Sequence, residues 1–199
     1  GAQEHGVYAY MKHFALNDQE GNRNCMAATW SNEQAIREIY LKPFEMSVKD
    51  ADCHAVMSSF NYIGNRWAGG CSELLQNVLR GEWGFLGFVE TDYFGVYGYM
   101  TADQAVRNGG DLMLCTTGND YNNVTVLTNS SKQAMRTAAK NILYTVVNSR
   151  AYDEENLNPG MAKWKIVLIG ADVVAALLIV GLEYTAIKNY KKRKEEEEV

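Results

Sequence analysis

Leu79-Arg80-Gly81-Glu82-Trp83-Gly84-Phe85-Leu86-Gly87-Phe88-Val89-Glu90-Thr91-Asp92-Tyr93 carries a helix, a turn and a strand that ends on a carboxylate. An amphipathic helix over 72–80 runs into the turn Trp83-Gly84-Phe85. A short apolar strand, Phe88 to Thr91, then ends on Asp92. A carboxylate at the C-terminal end of a buried strand stands where barrel enzymes keep their chemistry. The competing reading is local: Asp is a good N-cap, and Asp92 would then only open the next helix.

On either side of this stretch, short apolar runs alternate with helical patterns, the signature of parallel βα units. Val7 to Met11 reads as a strand ending at Lys12-His13, and Ala55 to Ser58 as a second ending at Ser59-Phe60-Asn61. Ser31 and Gln34 form a capping box for a helix that places Ile36, Ile39, Tyr40, Phe44 and Val48 on one face, with Pro43 kinking it. Thr101 and Gln104 cap a short helix stopped by Gly109. Asp111 to Cys115 reads as a fourth strand, ending at Thr116-Thr117. A longer helix over about 131–148 turns Met135, Ala138, Ile142 and Val146 inward. The polar residues just past each apolar run would converge on one face of a (β/α)8 barrel, where ligands sit. Four units make about half of such a barrel, and a half barrel leaves sheet edges bare. The fold expected is therefore α/β, a partial TIM-type barrel corresponding to about its second half.

The composition is ordinary for a globular chain, 47% hydrophobic and 22% charged over 199 residues, which excludes wholesale disorder. A net charge of -5 and the lack of a basic stripe before the C-terminus argue against nucleic acid. Cys25, Cys53, Cys71 and Cys115 have no metal-ligand spacing and are too sparse for a disulfide framework. Cys53 and Cys115 read as small core residues. No residue set points to a metal or a cofactor. The chain enters a core strand almost at residue 1, which suggests a start within a domain.

Two further strings join the first: Tyr10-Met11-Lys12-His13-Phe14-Ala15-Leu16-Asn17-Asp18-Gln19-Glu20, with Arg23 close behind, and Ala55-Val56-Met57-Ser58-Ser59-Phe60-Asn61-Tyr62-Ile63-Gly64. Alone, a Lys-His pair is a weak signal. Together, in this order and spacing, the three strings resemble glycoside hydrolase family 3, the β-glucosidase-like enzymes, from near residue 1 to about Gly118 and more weakly to Tyr152. The resemblance implies that Asp92 is the catalytic nucleophile. It implies that Lys12 and His13 hold hydroxyls of the sugar beside the scissile bond, and that Arg23 touches sugar or supports the site. Phe60 stands where members often carry a tyrosine whose hydroxyl bonds the nucleophile, and it keeps only the ring. Tyr93 stands where many members place tryptophan. Both rings suit a sugar site, because flat aromatic faces stack on pyranoses.

The activity implied is hydrolysis of terminal β-linked sugars with retention, through a glycosyl-aspartate and two carboxylates. The second carboxylate, the acid/base, usually comes from another α/β domain, and nothing here matches it. Glu20, Glu82 and Glu90 are in range by sequence, although the positions of the last two argue for structural roles. The chain then reads as part of a longer enzyme, inactive alone, whose upstream part supplies the acid/base. Two alternatives remain open: an anchored, non-catalytic carbohydrate-binding module, and an N-acetylhexosaminidase of the same family, although Ala15-Leu16-Asn17-Asp18 lacks that branch's Gly-His-rich loop.

After Tyr152 the composition changes. Ile166 to Leu182 is an apolar run with one charge, Asp172; Trp164 stands at one end, Tyr184 and Tyr190 at the other. Lys188, Lys191, Lys192, Arg193 and Lys194 follow, then Glu195 to Glu198. Such a run with aromatic ends and a basic flank reads as a single membrane span rather than a helix lying on a surface. The organisation expected is a barrel half over 1–152, a linker over 153–163, a transmembrane helix over 164–188 and a charged tail over 189–199. The positive-inside rule places the tail in the cytoplasm and the sugar site outside the cell membrane.

Overall fold

A computed structural model describes residues 1–94, 97–115, 122–157 and 159–197. It divides into two compact units, Gly1–Tyr152 and Asp153–Val199. In the first, the described residues form strands β1 (Tyr10–Phe14), β2 (Ala28–Thr29), β3 (Ala55–Ser58), β4 (Tyr62–Ile63), β5 (Arg66–Trp67) and β6 (Phe88–Thr91). Its helices are α1 (Glu33–Ala35), α2 (Lys42–Lys49), α3 (Ala102–Arg107) and α4 (Asn129–Val147), with wider π-helical stretches at Ile36–Tyr40 and Glu73–Glu82. The second unit holds α5 (Glu154–Leu157) and α6 (Lys163–Glu197).

The main sheet is parallel throughout, in the order β1-β3-β6. Its rungs run from Ala55↔Phe88 to Ser58↔Thr91, while β1 slips between Met11 and Phe14 so that Phe14 faces Ser58. Helical segments connect these strands, so the βα units anticipated from the alternating pattern are present. The core lies where one face of the sheet meets them: Phe14, Val56 and Val89 from the strands pack with Leu74, Leu75 and Leu79 from the π-helix, and with Leu41, Val48 and Trp83. Burying each such side chain is worth about 1.5–3 kcal/mol. Gly87 leads into β6 directly beside the start of β3, where a Cβ would collide with the His54 carbonyl. Only glycine allows that approach.

A second small sheet, β2-β4-β5, is not foreseen by the sequence; each of its strands is two residues long, too short to carry a periodic signal. It packs near a second cluster of Phe60, Trp67, Phe94, Met100 and Ala105.

Several local expectations need correction. The first strand is Tyr10–Phe14, three residues later than expected, so Lys12 and His13 lie within it. Polar side chains do not interrupt a ladder made by the backbone. Asn32, not Ser31, caps the first helix, its side chain accepting the Ala35 N–H at 2.8 Å. Pro43 kinks nothing, because it sits in the opening turn of α2, where its missing N–H costs no bond. Ile39 is exposed, and Tyr40 lies at the margin of exposure, because the π-helical turn rotates them off the apolar face.

The fourth strand contracts to a single bridge, Leu112 to Glu90, in which backbone bonds such as Thr91 N to the Leu112 carbonyl and Leu112 N to the Val89 carbonyl are supplemented by side chains. Asp111 Oδ2 accepts the Val89 N–H and Thr91 Oγ1 accepts the Leu114 N–H. Its expected end, Thr116-Thr117, lies outside the described residues. Cys53 is buried, whereas Cys115 is exposed on this sheet edge. On α4 Ala138 is buried as expected and Met135, Ile142 and Val146 are partly buried, but the fully buried positions also include Ser131, Asn141 and Thr145, whose polar groups find buried partners.

α6 is a continuous helix of 35 residues, about 52 Å at 1.5 Å per residue. Its stretch Lys163–Lys194 is long and apolar enough to cross a membrane by length and composition.

Candidate active site

The C-terminal ends of β1, β3 and β6 are joined beyond the strands themselves. Ser59 N donates to the Phe14 carbonyl at 3.0 Å, and Asp92 N donates to the Ser58 carbonyl at 3.1 Å. The Ser58-Ser59 step of β3 thus ties the chain after His13 to the chain at Asp92. His13 Nε2 lies 3.3 Å from Asp92 Oδ2, with both side chains mostly buried. The other carboxylate oxygen, Oδ1, accepts the Tyr93 N–H at 2.7 Å. Asp92 caps no helix among the described residues: the next helix, α3, begins at Ala102 and is capped by Thr101. The local alternative for Asp92 is therefore not what the structure shows.

Burial pushes the His13 imidazole below the usual histidine range. Asp92 opposes that shift, and the Lys12 and Arg23 cations add to it. His13 is then a neutral ring at pH 7, its Nε2 close to the carboxylate without a hydrogen bond to Oδ2. A neutral donor beside an anion suits hydroxyl recognition, because it can bond a sugar without competing as a counter-ion.

Lys12 shares β1 with His13; its side chain is exposed, and its ammonium lies beyond ion-pair distance of Asp92. The Arg23 guanidinium pairs with Glu20 at 3.0 Å and lies over the Phe60 ring, 5.0 Å from its centroid. Tyr97 meets the same ring edge-on at 5.3 Å. Phe60 is only 6% exposed, which leaves little of the ring to meet a ligand; what it visibly does is support Arg23. Tyr93, by contrast, is 38% exposed beside Asp92.

Sequence reasoning did not single out the polar lattice that braces this end of the sheet. Ser59 Oγ and Asn61 Nδ2 both donate to the Ala15 carbonyl at 3.1 Å, and Trp67 Nε1 donates to the Ser59 carbonyl at 2.8 Å. Tyr99 OH donates to the Phe60 carbonyl at 2.9 Å. Its only sequence signal is the polar run Ser58-Ser59-Phe60-Asn61 directly after an apolar strand. Several buried polar atoms nearby make no hydrogen bond within the chain: Asp92 Oδ2, Arg23 Nη1, Asn17 Oδ1 and Asn61 Oδ1. Of the other carboxylates, Glu82 is held by Arg37 at 2.6 and 3.1 Å, and Glu90 is buried in mid-strand next to Tyr10, where burial raises its pKa. Both roles are structural.

Residues 1–143 match the family described as Glycosyl hydrolase family 3 N terminal domain. A probable beta-glucosidase K of Emericella nidulans is 41% identical over 112 residues, 56% of this chain and 13% of that protein. A beta-glucosidase of Rhizobium radiobacter is 42% identical over a stretch of the same length and again 13% of its own chain is covered. The structure of beta-glucosidase 3B from Thermotoga neapolitana in complex with glucose superposes with a TM-score of 0.64 at 31% identity, over 77% of this chain and 22% of that one. The chain thus spans about an eighth of the length of the curated relatives it matches.

Proposed function

The chain belongs to glycosyl hydrolase family 3, and on that premise we propose that it carries the nucleophile side of a retaining β-glucosidase active site. The observation that carries this reading is the convergence of His13 and Asp92, 3.3 Å apart, at one end of a parallel sheet. The matched relatives carry the name beta-glucosidase, which favours a terminal β-linked glucose as the sugar recognised.

In this reading Asp92 attacks the anomeric carbon, the bond to the leaving oxygen breaks, and a glycosyl ester forms on the carboxylate. Water then cleaves the ester and frees Asp92. His13 and Lys12 hold hydroxyls of the sugar while this happens, Tyr93 offers its exposed ring to the pyranose, and Arg23 backs the site from its seat on Phe60. The partnerless buried atoms supply an independent support. Each such group left unsatisfied costs about 1–3 kcal/mol, and a polyhydroxyl ligand offers donors and acceptors of the kind they lack. The general acid comes from a part of the active site outside these residues, in a barrel completed by further chain.

Trapping with a 2-fluoro glycoside and mapping the labelled peptide tests the assignment. Recognition by β1 has its own test: His13→Ala, and separately Lys12→Ala, should lower kcat/KM by about 10²-fold, near 2.7 kcal/mol of transition-state stabilisation. A folded His13→Ala enzyme with wild-type kinetics would remove that residue from the site.

The same proposal holds the enzyme at a cell membrane by α6, with the sugar site outside and Lys191-Lys192-Arg193-Lys194 in the cytoplasm. The length and apolar composition of Lys163–Lys194 support it, as does the cost of moving four cations through lipid. Protease added to intact cells should digest residues 1–152 and spare the tail. Release of the intact protein by an alkaline carbonate wash would show peripheral attachment instead.

A further inference from the structure

Trp30 is 83% exposed, although indole is a ring that proteins usually bury in large part. Its backbone is nonetheless fixed on both sides. Thr29, just before it, ends β2, which pairs with β4, and Thr29 Oγ1 donates to the Tyr62 carbonyl at 2.7 Å. Asn32, two residues on, caps α1. An exposed ring on a rigid backbone loses little freedom when it binds something, which favours a built recognition surface over a loose loop residue.

Trp30 lines a concave site of about 430 Å³ that also includes Leu16, Asp18, Gln19, Thr29 and Tyr40. The lining suits one ligand chemistry. Trp30 and Tyr40 offer flat apolar faces, while Asp18 offers a carboxylate and Gln19 an amide, which accept from and donate to hydroxyls. Alternating apolar C–H faces and equatorial hydroxyls are what a pyranose presents. The chain also ties this site to the candidate active site. Leu16 follows His13 by three residues, at most ~11 Å of extended chain. Asn61, at the end of β3, donates both to the Ala15 carbonyl and to Thr29 Oγ1, at 3.1 Å each, so one side chain clamps the two together.

We infer that the Trp30 site is a further sugar subsite, which takes a distal unit of the same β-linked oligosaccharide whose terminal sugar lies at His13 and Asp92. The inference rests on the glycosidase reading of that terminal site. Its consequence is a preference for chains of several sugar units, with Trp30 as the stacking platform and Asp18 and Gln19 as hydroxyl ligands.

Calorimetric titration of the whole chain in detergent micelles tests it, with methyl β-glucoside compared against β-1,3- and β-1,4-linked glucose tetrasaccharides. At least one tetrasaccharide should bind ten-fold or more tightly than the monosaccharide, and its binding should shift the indole N–H resonance of Trp30. Trp30→Ala should bring the ratio of the two affinities to near one. Trp30→Phe, which keeps a stacking face, should retain most of it. An unchanged ratio in Trp30→Ala overturns the subsite. Equal methyl β-glucoside affinity in the wild type and in His13→Ala overturns the terminal site first, and the subsite with it.

Discussion

Asp92→Asn in the active enzyme is expected to lower turnover by about 10⁴- to 10⁶-fold, the scale seen when a covalent nucleophile is removed. The substitution is nearly isosteric, so the fold should survive it. Among the described residues, Asp92 Oδ1 accepts the adjacent Tyr93 N–H, which an amide oxygen can also accept, and Oδ2 lies 3.3 Å from His13 Nε2. What disappears is the ability to form and release a glycosyl ester. Two readouts separate this from a loss of binding. Methyl β-glucoside affinity should change far less than turnover, and a 2-fluoro glycoside that labels the wild type at Asp92 should leave Asp92→Asn unlabelled. A label on another carboxylate would end the assignment, and so would a folded Asp92→Asn enzyme within ten-fold of wild-type turnover.

How much of this was legible beforehand depended on whether the signal was carried by apolar pattern. β3 and β6 fall on the residues expected, because each is a short apolar run bounded by turn or polar residues. β1 begins three residues late because its second half, Lys12-His13-Phe14, is polar in part, and hydrophobicity says nothing about backbone pairing. Ser31 and Asn32 are adjacent residues that both cap well, and only the geometry chooses Asn32. The approach of His13 to Asp92 follows from placing both near strand ends of one parallel sheet. The support of Arg23 by Phe60 and Tyr97 does not follow from it, since a stacked cation and two rings far apart in sequence leave no local pattern. Trp30 illustrates the same limit from the other side: exposure of a large aromatic residue is a property of the fold.

The inward face of α4 keeps its apolar residues and adds buried polar pairs that no apolar pattern announces, and one of these leads to the second large effect. Asp111→Ala is expected to destabilise the first unit by about 3–5 kcal/mol, because it strands a buried cation. Arg80 Nη2 lies 2.6 Å from Asp111 Oδ2, with the two side chains 18% and 2% exposed. Burial pushes the Asp111 carboxyl up and Arg80 down, and three donors oppose the shift at Asp111: Arg80, Val89 N and Asn141 Nδ2. Removing the carboxylate therefore breaks the Asn141 tie of α4 and the side-chain rung on β6 together. At about 2–4 °C per kcal/mol for a domain of this size, the unfolding midpoint should fall by about 10 °C. Fluorescence of the buried Trp67 and Trp83 would report it.

Asp111→Leu combined with Arg80→Leu should recover much of the loss, since it buries neither charge alone. A double variant no more stable than Asp111→Ala would mean that the hydrogen bonds to Val89 and Asn141, rather than the stranded cation, dominate. A fall of less than 1 kcal/mol in Asp111→Ala would show that the network is not needed for the fold. The coupling also reaches the candidate site. Val89 precedes Asp92 by three residues on β6, so a strand loosened at Val89 is free to move the carboxylate away from His13. Asp111→Asn, which keeps one acceptor for Val89 N while weakening the ion pair, should then lower stability without separating Asp92 from His13. Asp111→Ala should do both, and chemical shifts of the His13 ring would distinguish the two variants.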